Sequence, residues 1–173
     1  METDPIRTVL VVDDEETVRA PLRRVLESEG HAVLEASDAE TALRVLHEKP
    51  VHLIISDNMM PGMSGVDLLK LVRVRHPQVL RIMLTGDPDP EIPVRSINES
   101  EVYRFIRKPW NDSDLRTIMH FAFEVVRLEG EKRRLLSMVR DERAARLLNG
   151  SPEDPVGIES GLLLLAEDEL HGS

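Results

Sequence analysis

Asp13 and Asp14, Asp57, Thr85 and Lys108 stand far apart in this chain, yet each follows or closes a short apolar run. The runs are "RTVLVV" before Asp13, "VHLIIS" before Asp57, "VLRIML" before Thr85 and "EVYRFIR" before Lys108. If these runs are strands of one sheet, three carboxylates, a hydroxyl and an ammonium converge at one rim. Clustered carboxylates raise one another's pKa unless a cation neutralises them. Oxygen ligands with open positions suit Mg²⁺, which keeps waters and readily takes a phosphate oxygen. Lys108 and Thr85 would hold the remaining oxygens of a phosphoryl group, and Asp57 would be the nucleophile that forms an acyl phosphate. Taken singly, each residue has an ordinary reading. Asp13 or Asp14 caps a helix, Asp57 sits in an Asx-turn, Thr85-Gly86 is a turn, and Lys108 is a solvated lysine. Only the joint placement selects the chemistry.

The elements that must position these residues alternate along the chain. Strand-like runs at residues 7–12, 31–36, 51–56, 79–84 and 101–107 are separated by segments of helical period. The first helical segment carries Val18, Leu22, Val25 and Leu26, stops at Gly30, and tolerates Pro21 only near its first turn. The second is capped by Asp38; the third is capped by Ser64 and ended by Pro77. A last helix begins near Asp112 or Ser113. Strands one, three and four have continuous apolar centres rather than alternation, the pattern of strands covered on both faces. The expected fold is therefore α/β, a doubly wound five-stranded parallel sheet with its site beyond the carboxyl ends of the strands.

Composition narrows the function. The chain has 173 residues, 41% of them apolar and 31% charged, with a net charge of −10 and no cysteine. Disulfide and thiolate chemistry are excluded. The acidic balance argues against a nucleic-acid partner. No apolar run is long enough to span a bilayer, and the polar, acidic start is unlike a signal peptide, so no membrane partner and a cytoplasmic location are expected. A nucleotide-binding fold would need a Gly-rich loop after strand one, where this chain has "DDEE". A phosphatase acting on outside substrates would need a general acid beside Asp57, and neither Asn58 nor Met59 can serve.

"VLVVDDEE", "LIISDNMMPGMSG", "IMLTG" and "YRFIRKPW" together resemble the receiver domain of two-component response regulators, over about residues 5–127. The resemblance implies a flavodoxin-like receiver fold with Asp57 as phosphoacceptor, and Mg²⁺ held by Asp14 directly, Asp13 largely through water, Asp57, and the Met59 backbone carbonyl. It implies Thr85 as the switch hydroxyl, Phe105 as the switch aromatic and Lys108 as the phosphoryl partner. It also implies a cis peptide at Lys108-Pro109, with Pro61 and Gly65 shaping the turn into the third helix. The implied partner is a sensor histidine kinase or phosphotransfer protein, and no turnover beyond self-phosphorylation and self-dephosphorylation is expected.

The segment "GDPDPEIPVRSINES" departs from that pattern. Pro88, Pro90 and Pro93 confine a fourth helix to a turn or two beginning near Pro93. This puts the family's usual dimer face in doubt, and the region is expected to be mobile without phosphate.

The last helix runs beyond the receiver. We divide the chain into a receiver (1–127), a helical extension (128–149) and an acidic, disordered tail (150–173). Ile118, Phe121, Val125, Leu128, Lys132, Leu135 and Val139 recur in steps of three and four, an a/d heptad seam with Lys132 at an a position. Its first part, Ile118 to Val125, is expected to be the core face of the helix. Leu128, Lys132, Leu135 and Val139 lie beyond the domain and are expected to form a homodimeric coiled coil. The four leucines at 162–165 are either a docking segment or an idle apolar patch. Residues 127–146 hold seven Arg or Lys, but five acids share the stretch from Glu124, so the pattern is a mixed solvated face rather than a DNA-binding one. No output domain is recognisable. The expected output is contact with an unknown protein through the helix or tail; the alternative is a phosphate sink or phosphorelay shuttle with no effector of its own.

Overall fold

The computed structural model describes residues 6–86 and 102–148. The segment expected to hold the short fourth helix and the C-terminal tail with its four leucines lie outside the described residues. The elements are β1 (Thr8–Val12), α1 (Glu16–Ser28), β2 (Ala32–Ala36), α2 (Ala39–Glu48), β3 (Leu53–Asp57), α3 (Gly65–Arg75), β4 (Leu80–Thr85), β5 (Arg104–Arg107) and α4 (Asp112–Leu148). All five strands are parallel, in the order β2-β1-β3-β4-β5. The doubly wound sheet with a long C-terminal helix is the expected architecture.

The apolar centres explain the order. β3 is buried throughout and β1 nearly so, and these strands sit at the middle of the sheet. β2 and β5 are only partly buried and form its edges. Successive side chains alternate between two cores. Val9 and Val11 pack with Leu22, Val25 and Leu26 of α1 and with Leu115, Met119 and Phe123 of α4. Leu10 and Val12 pack with Ala42 and Leu46 of α2 and with Leu68, Leu69 and Val72 of α3. Helices therefore cover both faces, and parallel strands of this kind need such cover.

Local chemistry sets the helix ends. The Asp38 carboxylate accepts the Thr41 N–H at 2.7 Å, and the Ser64 hydroxyl accepts the Asp67 N–H at 3.2 Å. Gly30, at φ 84°, ends α1. Its N–H donates to the Glu27 carbonyl and that of His31 to the Leu26 carbonyl, the paired bonds of a Schellman motif. The Asn111 side chain accepts the Ser113 N–H at 2.8 Å and starts α4.

Two expectations shift. Pro21 lies inside α1 rather than in its first turn. The carbonyl that loses its donor is that of Thr17, which is exposed, so water replaces the missing bond. The inward face of α4 is Leu115, Met119, Ala122, Phe123 and Val126, not Ile118 to Val125. Ile118 only packs against the core from its edge, and Phe121 is 58% exposed.

The chain divides into two compact units, Met1–Gly130 and Glu131–Ser173. In the second, the described residues to 148 are helical, and Leu135, Leu136, Met138, Val139, Leu147 and Leu148 are exposed. Among the described residues no helix is long and apolar enough to cross a membrane.

Candidate functional site

The register of the sheet brings distant residues to one rim. Val12 pairs with Ser56, Asp57 with Leu84, and Thr85 with Arg107. Asp13 just beyond β1, Asp57 ending β3, Thr85 ending β4 and Lys108 just beyond β5 therefore share the carboxyl edge. Lys108 lies between two of the acids: its Nζ is 2.8 Å from Asp13 Oδ2 and 3.0 Å from Asp57 Oδ1. The other Asp13 oxygen accepts the Glu15 N–H at 2.9 Å, so this buried residue also shapes the turn into α1. The capping reading and the charge-cluster reading both hold for Asp13, one on each oxygen.

The carboxylates of Asp13, Asp14 and Asp57 offer oxygens that all lie within 4.8 Å of one another. Burial raises the Asp57 pKa above its ordinary value; the Asp13 charge adds to this, while Lys108 opposes it. For Lys108, burial favours the neutral amine, but the hydrogen bonds and charges of Asp13 and Asp57 outweigh it and raise its pKa. Three carboxyl groups against one ammonium leave a negative excess of hard oxygen donors, and Asp14 is exposed at the edge. Such a donor set fits a divalent cation such as Mg²⁺.

A model of the response regulator receiver domain matches residues 9–120. The chain belongs to this family. It is 41% identical over 133 residues to the hydrogenase transcriptional regulatory protein HoxA of Cupriavidus necator, a match covering 77% of this chain and 27% of that protein. It is 33% identical over 134 residues to the nitrogen assimilation regulatory protein NtrX of Azorhizobium caulinodans, covering 76% and 29%. Among solved structures it is similar to the signal receiver domain of an HD domain-containing protein from Pseudomonas fluorescens. That match has a TM-score of 0.71 and 34% identity, and covers 76% of this chain and 96% of that one. The chain spans little more than a quarter of the length of the two regulators. It is a receiver of the two-component response-regulator type.

In this receiver the Lys108-Pro109 peptide is cis, as the resemblance implied. The Thr85 carbonyl accepts the Lys108 N–H at 2.7 Å, which ties the ends of β4 and β5 together. Phe105 is half-buried on β5 against the core shared by α2 and α3. The Met59 side chain is 72% exposed in the loop after Asp57, so only its backbone faces the task assigned to it.

Three contributors were not legible in the sequence. The Asn58 carbonyl accepts the Gly65 N–H at 3.0 Å, and its side-chain oxygen accepts the Val66 N–H at 3.3 Å. Asn58 thereby pins the start of α3 behind Asp57. Gly65 comes so near the strand end that a Cβ would meet the Asp57 carbonyl oxygen at 2.0 Å. Arg19 of α1 donates to the Asp13 carbonyl at 2.6 Å. The one signal available was an Asn in a turn-forming position after Asp57.

Proposed function

We propose that this receiver accepts a phosphoryl group on Asp57 from a sensor histidine kinase or phosphotransfer protein, with Mg²⁺ as cofactor. The observation that carries the reading is Lys108, whose ammonium lies 3.0 Å from Asp57 within a cluster of three carboxylates. An Asp57 oxygen attacks phosphorus, the bond between phosphorus and the donor nitrogen breaks, and the electron pair returns to the donor ring. Mg²⁺, held by Asp13, Asp14, Asp57 and the Met59 carbonyl, would supply charge neutralisation for the incoming phosphoryl oxygens. Lys108 leaves part of its contact with Asp57 to hold one of those oxygens, and Thr85 offers its hydroxyl to another. Loss of charge from Asp57 frees Thr85 and Phe105 to change position, which is the switch. The chemistry is limited to self-phosphorylation and self-dephosphorylation.

The output is a protein contact. Leu128, Leu135 and Val139 are 54%, 55% and 64% exposed, and with Lys132 they carry the heptad pattern of a homodimer seam. A further output protein would read the phosphorylated dimer. Incubation with a small acyl phosphate and Mg²⁺ tests the first step. The wild type gains one phosphoryl mass and Asp57→Asn gains none, since the amide is a poor nucleophile. Phosphorylation of the variant would overturn the assignment.

A further inference from the structure

The carboxylate of Asp13 is held on both oxygens, but that of Asp14 makes no hydrogen bond or ion pair among the described residues. Its direction is set by its backbone alone. The peptide that joins Asp13 to Asp14 is planar, so whatever grips its carbonyl fixes the torsions on either side and hence where both carboxylates point. That carbonyl is gripped from α1 by the guanidinium of Arg19, whose Nη1 lies 2.6 Å from it. The Arg19 side chain is only 14% exposed, its Nη2 donates to Glu16, and its Nε stands 3.4 Å from Glu35 Oε1 on β2. Glu35 is held in turn by Arg23. The Asp13 N–H donates to the Ala36 carbonyl, so β2 braces the same loop from the other side.

We infer that Arg19 is a positioning residue for the divalent cation: it orients the Asp13–Asp14 peptide so that Asp14 faces Asp57, with Glu35 and Glu16 holding the guanidinium in place. The inference rests on the proposed cation site, and its test distinguishes the two. The planar fork is what suits Arg19 to the task, because a single guanidinium serves the carbonyl and two carboxylates at fixed angles.

Charge and positioning predict opposite signs. Arg19 is a cation near three carboxylates, so removing it by electrostatics alone strengthens Mg²⁺ binding. If it positions the loop, removing it weakens binding. Calorimetric titration of the full chain with Mg²⁺ reads the difference. Arg19→Gln is expected to raise the dissociation constant about 10-fold, the scale on which groups that orient metal ligands act. Arg23→Gln removes a cation from the same Glu35 without touching Asp13, so it controls for charge and for stability, and leaves Mg²⁺ affinity equal or tighter. Arg19→Lys keeps the charge but loses the fork, and falls between wild type and Arg19→Gln. Without metal, exchange of the Glu15 N–H should quicken in Arg19→Gln and not in Arg23→Gln. Equal or tighter Mg²⁺ binding by Arg19→Gln, or Arg19→Lys indistinguishable from wild type, overturns the inference. A wild type that binds no Mg²⁺ overturns the site itself.

Discussion

A β-carbon on Gly65 would stand 2.0 Å from the carbonyl oxygen of Asp57 and 2.8 Å from the Cα of Asn58. All the atoms it meets are backbone, so no rotamer change relieves the clash. Close approach, rather than a left-handed torsion, reserves this position for glycine. Gly65→Ala must push α3 away from the end of β3 and break the Gly65-to-Asn58 hydrogen bond. We expect a loss of roughly 2 kcal/mol of stability, typical of forced overpacking. Asp57 should also be phosphorylated more slowly. Denaturant titration and the rate of mass gain check both; an unchanged melting curve would refute the close approach.

Lys108 neutralises Asp13 and Asp57 together. Lys108→Ala leaves the buried Asp13 oxygen without its partner. The metal-free protein should lose about 2 kcal/mol, the scale of hydrogen bonds to charged groups. Mg²⁺ affinity should rise, because a competing cation is gone from the cluster. Added Mg²⁺ should therefore recover part of the lost stability. A variant that binds no Mg²⁺ would show that Lys108 is structural to the site rather than its counter-charge.

His52 predicts an acid-sensitive step away from the rim. Its Nδ1 accepts the Thr8 N–H at 3.0 Å, which only an unprotonated nitrogen does. Burial, and then the charge of Arg7, lower its pKa below the ordinary 6.5. The unfolded chain takes up the proton first as pH falls. The stabilising contribution is thus whole above about pH 6.5 and is lost as pH falls through the folded value. His52→Asn can keep an acceptor at that place without titrating. Between about pH 7 and pH 5, the wild type should lose more melting temperature than the variant; parallel slopes would contradict the assignment.

The exposed residues of the helix bear on assembly. A lone amphipathic helix is marginal in water unless its stripe is covered. The intact chain should sediment as a dimer, and a chain ending at Arg127 as a monomer. Leu135→Asp should dissociate the dimer and lower helical content without altering phosphorylation of Asp57. A monomeric wild type would hand the stripe to a different partner.

Much of this receiver is written locally. The apolar centres of β1, β3 and β4 announced strands covered on both faces, and Asp38, Ser64 and Gly30 marked their helix ends. The site was legible because parallel strands in one sheet present all their carboxyl ends at one rim, so Asp13, Asp57, Thr85 and Lys108 had to meet once the strands were known. What needed the folded chain was every contact that depends on how elements cross. The grip of Arg19 on the Asp13 carbonyl, the double hold of Asn58 on α3 and the tight passage of Gly65 leave no period in the sequence. The inward face of α4 belongs to the same class. Two apolar stripes on that helix share one spacing, and local periodicity cannot rank them. The sheet and α1 chose Leu115, Met119, Ala122, Phe123 and Val126, because those side chains filled the groove the other elements left.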